Sequence, residues 1–229
     1  MSDLILFAIL PYVALGIELS VSLYRYFGGS YKFSSLSSEF LEQKELFWGS
    51  TAWHYGILMV LLGHVLGFLF PKEVIAFGNV SWRLLVMETS ALTFGLMALV
   101  GLVLLVRRRA SRARIRAVTT KMDVFILLLL LIQVASGVGI AVVHRWGAMW
   151  YASALVPYLR SLFILEPNIG LVAGMPPLVK LHLVNAYLIL GILPFTRLVH
   201  FLVLPISYIW RSWQIVIWNY DRKKIRQVK

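Results

Sequence analysis

Five histidines are the residues of this chain best equipped to do chemistry: His54, His64, His144, His182 and His200. The 229 residues contain no cysteine. Thiolate-bound iron–sulfur clusters, a Cys-x-x-Cys-His haem attachment and disulfides are therefore excluded for this chain. Four of the histidines lie well inside long apolar runs. An ionisable side chain in such a place is costly, faces the interior of a helix bundle and by default marks function. For any one of them alone, a neutral, hydrogen-bonded interior histidine is the simpler account; four at matched depths ask for more.

The elements that carry them are legible from composition. Hydrophobic residues make up 60% of the chain, mean hydropathy is +0.81, and only 14% of residues are charged, against about a quarter in a globular domain. A β-barrel would show alternating segments of about ten residues, and none is found. Five apolar runs reach the ~20 residues a bilayer crossing needs: 4–24, 49–70, 84–106, 124–143 and 178–204. The expected fold is an all-α integral membrane protein, a bundle of five transmembrane helices forming one domain over residues 1–229, with no internal repeat. The start, Met-Ser-Asp-Leu, lacks the basic region of a secretory signal and its apolar run is too long for one. The first span is therefore expected to be retained.

Charge sets the expected orientation. With the N-terminus outside, the inner segments hold sixteen Lys and Arg and the outer ones five, while Arg197 sits within the last span. The positive-inside rule then places the N-terminus outside and the C-terminus in the cytoplasm, in a multi-pass protein of the cell membrane. The net charge of +12 and pI of 10.2 are thus a topology signal. The basic residues flank spans, where anionic headgroups attract them, and nucleic acid is not an expected partner.

In that orientation the second span runs outward and the fifth inward. His54 falls about one turn inside the inner face and His64 about two turns below the outer one. On the fifth span His182 falls near the outer face and His200 near the inner. The histidines thus match in depth as His64 with His182 and His54 with His200. The 18 residues between His182 and His200 are five turns at about 3.6 per turn, which points both rings the same way if the helix is continuous. Two imidazoles from facing helices are what a b-type haem needs, and filling both axial positions favours electron transfer over oxygen chemistry. Zinc would need its ligands to converge on one point, whereas these pairs lie near opposite faces. The expected cofactors are two non-covalent b haems.

Other residues keep two readings. Gly56, Gly63 and Gly67 either admit a flat macrocycle or serve close helix packing. Arg197, three residues before His200, either pairs with a propionate of the inner haem or snorkels to the interface. The arginines at 107–116 suit an inside-positive loop, and His144 an interfacial position. Residues 37–47, with apolar and charged residues interleaved, suit a short interfacial helix.

The motifs around the histidines resemble one family. His54-Tyr-Gly-Ile-Leu58 running into Gly63-His64 and Gly67 is similar to the H-x-G-I-L-x4-G-H-x2-G of the γ subunits of membrane-bound respiratory nitrate reductases. Leu181-His182-Leu183-Val184, with Lys180 in place of the usual Arg, and Phe195-Thr196-Arg197-Leu198-Val199-His200 followed by Pro205 are similar to its fifth-helix motifs. The resemblance spans nearly the whole chain. It implies a dihaem cytochrome b with His64 and His182 on the outer haem and His54 and His200 on the inner, the haem iron being the metal held. It further implies oxidation of menaquinol or ubiquinol from the quinone pool near the outer haem. Electrons would pass to a cytoplasmic iron–sulfur subunit and on to a molybdenum catalytic subunit. Arg83 aligns loosely with the basic residue of the family's quinol site, and an interfacial anchor is its other reading. The alternatives are a dihaem cytochrome b of another quinone-linked complex (nitrite-oxidising, heterodisulfide-reductase-like or sulfite-reduction-linked) and a haem-free proton-coupled transporter. Transporters often show inverted repeats and broken helices, and the sequence suggests neither.

Overall fold

Uncharged runs of leucine, valine and isoleucine can satisfy their backbone in lipid only as helix, and helix is what they form. The computed structural model describes residues 2–28 and 44–202, and these hold helices and no strand. Five helices are long and apolar enough to cross a membrane: Ser2–Phe27, Glu45–Leu69, Ser81–Ser111, Lys121–Val143 and Pro177–Phe195. We number them as first to fifth span, and "inner" and "outer" follow the expected charge bias. Each overlaps an expected run. The third is longer than its apolar stretch, because the arginine-rich residues after Val106 continue the helix to Ser111. Of the expected interfacial segment at 37–47, residues up to 43 lie outside the described residues. The rest begins the helix Lys44–Leu69.

The fifth span departs from expectation. Its α-helix ends at Ile192, a 3-10 turn follows at Leu193–Phe195, Thr196 is extended, and a second 3-10 segment runs over Arg197–Leu202. Pro194 has no N–H to donate, and its ring crowds the carbonyl four residues back. The five-turn phase between His182 and His200 does not hold, since it assumed a continuous helix. The sequence suggested no broken span, and here is one.

Packing runs in series: second on third, third on fourth, fourth on fifth, fifth on first. The second and fifth spans, which carry the histidine pairs, share no comparable interface. Small residues close the second–third contact. A Cβ at Gly56 would stand 2.5 Å from the Ala98 nitrogen, and one at Gly101 would stand 2.3 Å from the Trp53 nitrogen. Ala98, Leu102 and Val134 then join the third span to the fourth in one buried cluster.

The outer connections are more structured than the sequence suggested. Helices at Pro71–Gly78, Gly147–Trp150, Val156–Phe163 and Gly170–Ala173, with a π turn at Tyr151–Leu155, cover that end. Pro11 cannot donate to the Phe7 carbonyl, and the Tyr158 hydroxyl donates to it instead, at 2.8 Å. Tyr187 in turn donates to Tyr158 at 3.0 Å, and Tyr12 donates to the Leu162 carbonyl at 2.9 Å. These bonds lock the first and fifth spans to the outer cover. Arg160 gives hydrogens to the Phe68 and Leu69 carbonyls at 2.7 and 3.2 Å, satisfying acceptors that a helix end leaves without an internal donor.

At the inner end, Thr120 and Asp123 form a reciprocal capping box at the start of the fourth span. Buried Asp123 also pairs with Arg197 at 3.1 Å and with Arg109 at 3.7 Å. Arg112 forms a two-pronged pair with Glu45. One carboxylate thus ties the third, fourth and fifth spans together, and the other ties the third to the second.

Candidate functional site

Three of the four span histidines are oriented by their own backbone. The Nδ1 of His54 lies 2.7 Å from the Ser50 carbonyl, that of His64 lies 2.8 Å from the Val60 carbonyl, and that of His200 lies 2.8 Å from the Arg197 carbonyl. A carbonyl only accepts, so Nδ1 carries a proton in each case, and in the neutral ring Nε2 keeps its lone pair. A neutral imidazole fixed this way can ligate a metal through Nε2. All three rings are exposed in the bundle rather than packed away.

His182 is held differently. Its Nε2 lies 3.1 Å from the Gln133 amide nitrogen and its Nδ1 lies 3.0 Å from the Ser136 hydroxyl. Gly137 completes the seat: a Cβ there would stand 3.0 Å from the His182 ring. His182 also lies deeper than its short distance from Pro177 suggested. The fifth span starts below the end of the fourth, with Leu178 against Gly139, so His182 meets residues midway along Lys121–Val143.

Tyr151 braces the other side of the outer pair. Its ring meets that of His64 edge-on at 5.3 Å between centroids, and its hydroxyl donates to the His64 carbonyl at 3.0 Å. Burial pushes this phenol up to about 12, so it remains protonated and able to donate. The three candidate glycines separate. Gly56 packs on the third span and Gly67 faces the Tyr151 ring, where a Cβ would stand 2.7 Å away; Gly63 has nothing within 4 Å of where a Cβ would be. Only Gly63, beside His64, keeps the reading in which a planar group approaches the backbone.

The chemistry of the donor set fits two b haems. His54 and His64 stand on the second span and His182 and His200 on the fifth and its continuation, elements that share no large interface, and three of the four present Nε2. The fourth, His182, presents it on giving up the Gln133 bond. Among the described residues no three His, Asp or Glu side chains converge as a single metal site would require. A family model described as nitrate reductase gamma subunit matches residues 3–219. The chain belongs to that family. It is 36% identical over 218 residues to the nitrate reductase gamma chain of Bacillus subtilis, covering 94% of this chain and 98% of that one. To the respiratory nitrate reductase 1 gamma chain of Escherichia coli it is 31% identical, covering 93% and 96%. A nitrate reductase-like protein of Mycobacterium tuberculosis is 28% identical over 90% of this chain, which spans 32% of that longer protein. The protein is thus a multi-pass membrane subunit of an oxidoreductase complex, associated with other nitrate reductase subunits.

In this gamma subunit the remaining candidates fall as follows. Arg197 stands at the inner end near His200 in sequence, with its Nε on Asp123 and an Nη on the Val118 carbonyl at 3.2 Å. A guanidinium has five donors, so the carboxylate partner and a propionate are compatible. Arg83 lies over the rings of Phe77 and Trp82, 5.5 Å from each centroid, as an interfacial anchor would. His144 caps the fourth span and, with Arg145, Trp150 and Met175, lines an open cavity of about 450 Å³ at the outer end. Gln133, Ser136, Asn185 and Tyr151 were missed by sequence reasoning. The signal for the first three was present: polar residues inside leucine-rich spans, at i and i+3 on one face.

Proposed function

We propose that this chain is the dihaem cytochrome b of a respiratory nitrate reductase, oxidising menaquinol or ubiquinol near the outer face. Electrons pass inward to an iron–sulfur subunit and from there to a molybdenum catalytic subunit. His64 and His182 hold the outer haem, His54 and His200 the inner one, and Arg197 meets an inner propionate. When bound, two bis-histidine haems supply a one-electron path between the two ends of the bundle.

The observation that carries this reading is the presentation of the histidines. Backbone carbonyls fix Nδ1–H on His54, His64 and His200 and aim the basic nitrogen away from the helix that bears it. A histidine serving only as a structural hydrogen-bonder, or as a proton relay, has no need of that shared tautomer. Oxidation of a quinol releases two electrons and two protons. Releasing the protons outside while electrons move inward makes the pathway electrogenic, at about 2.3 kcal/mol per electron per 100 mV.

The test is a reduced-minus-oxidised visible spectrum of the purified chain, with pyridine-haemochrome quantitation, on wild type, His54→Ala and His64→Ala. Two low-spin b haems are expected in wild type, with loss of a different one in each variant. A wild-type chain with no haem, or two variants with identical spectra, would overturn the reading.

A further inference from the structure

His182 differs from the other three histidines because both its ring nitrogens are engaged by side chains of the neighbouring span, and the direction of each bond can be worked out. Asn185 Nδ2 donates to the Leu129 carbonyl at 2.9 Å and to Gln133 Oε1 at 2.7 Å. With its oxygen accepting there, Gln133 turns its amide nitrogen to His182 Nε2, and that nitrogen can only donate. Flipping the amide would set its NH2 group against that of Asn185, so the network itself assigns the orientation. Nε2 of His182 therefore accepts, and the ring proton sits on Nδ1. That proton goes to the Ser136 hydroxyl at 3.0 Å, and Ser136 donates its own hydrogen to the Gln133 carbonyl at 3.0 Å.

Ser136 and Gln133 thus act on the ring in opposite senses. Ser136 holds the proton on Nδ1, the tautomer in which Nε2 can ligate a metal. Gln133 occupies the single lone pair of that same Nε2, so its hydrogen bond and a bond to iron are alternatives. We propose that Gln133 is a positioning latch that competes with the outer haem for His182, while Ser136 sets the tautomer that binds it. This rests on the haem reading above. Asn185 strengthens the latch by fixing the amide's orientation.

The experiment compares the whole enzyme complex, extracted from membranes, as wild type, Gln133→Leu and Ser136→Ala. Transfer of each haem to excess apomyoglobin is followed spectroscopically. The outer haem is identified as the one absent from His64→Ala, and the inner haem serves as internal control. Removing the competitor should slow loss of the outer haem about three- to tenfold, the net worth of one hydrogen bond. Ser136→Ala should speed loss of the same haem, by tenfold or more, as removal of a partner that orients a ligating histidine does. The inner haem should leave at the wild-type rate in both. Outer-haem loss that is unchanged in Gln133→Leu, or a shift of both variants in the same direction, overturns the proposal. If Gln133→Leu loosens both haems, Gln133→Met, closer in shape, replaces it: slower outer loss supports the latch, and equal or faster loss overturns it. A wild-type complex whose gamma subunit holds no haem removes the reading beneath the proposal. Two wild-type haems with unresponsive Gln133 variants remove the proposal alone.

Discussion

Gly101 offers the sharpest test of how the second span is positioned. An alanine Cβ at this buried position would stand 2.3 Å from the Trp53 nitrogen and 2.8 Å from its Cα. Non-bonded carbon contacts favour about 3.5–4.0 Å, so the two helices must part by more than an ångström. The obstacle is backbone, and no rotamer change relieves it. Overpacking of this kind costs about 1–3 kcal/mol, and a backbone clash belongs at the upper end. Alanine recovers at most about 1 kcal/mol over glycine in a helix interior. The net loss is about 2 kcal/mol, or roughly thirtyfold in an equilibrium constant. Trp53 directly precedes His54, so the displacement reaches the inner histidine pair before the outer one. The assay is thermal denaturation of the solubilised Gly101→Ala protein by tryptophan fluorescence, with the spectra of the two proposed haems recorded in parallel. A lowered midpoint is expected, with the inner spectrum perturbed first. Wild-type stability would refute the claim that this glycine sets the interface, and equal perturbation of both haems would refute the local transmission.

Three further outcomes follow from the same structure. Asp123→Asn keeps the shape but removes the charge facing Arg197 and Arg109; with those partners partly exposed, about 2 kcal/mol of stability should go, less than the 3–5 kcal/mol of a fully buried pair, read as a lower denaturation midpoint. Arg160→Gln strips donors from the Phe68 and Leu69 carbonyls and should cost about 1–3 kcal/mol, visible as faster amide exchange at the outer end of the second span and nowhere else. The Tyr151 phenol is raised from 10.0 to about 12 in the folded protein; its contribution to stability is therefore whole below about pH 10 and is lost as pH rises through about 12. Alkaline denaturation followed by phenolate absorbance should show a smaller loss in Tyr151→Phe than in wild type; an identical alkaline limb in both would rule Tyr151 out as a source.

Much of this was readable from residues alone, for identifiable reasons. Lys121–Val143 and Ser81–Ser111 announce themselves because lipid admits no backbone answer but helix, and the four histidines announce themselves because ionisable groups are rare there. What escaped depends on contacts between distant segments. Pro194 was visible, but its effect was not read as a break, and a turn count carried straight through it. The helices between Gly147 and Phe163 are short and apolar, and their anchors, such as Tyr158 on the Phe7 carbonyl, join residues 151 positions apart. The split among Gly56, Gly63 and Gly67 likewise needed the neighbours: identical residues on one helix meet the third span, open space and a tyrosine ring.

The series packing suits the proposed division of each histidine pair between the second and fifth spans. A flat group held between two helices needs each helix fixed by something other than its opposite number, since direct contact would close the space between them. The second span is fixed by its glycine seam on the third, by Glu45 on Arg112 and by Arg160 on its last carbonyls. The fifth is fixed by its polar contacts with the fourth, by Gly191 against Ala14 of the first, and by Lys180 on Asp3 at 3.5 Å. The separation between the second and fifth spans is therefore set by the thickness of the third and fourth spans, joined at Ala98, Leu102 and Val134. Bundle association in lipid gains little from hydrophobicity and rests on close packing and hydrogen bonds. Those are the interactions found at each of these seams, and they give the histidine frame a rigidity that burial of apolar surface alone would not supply.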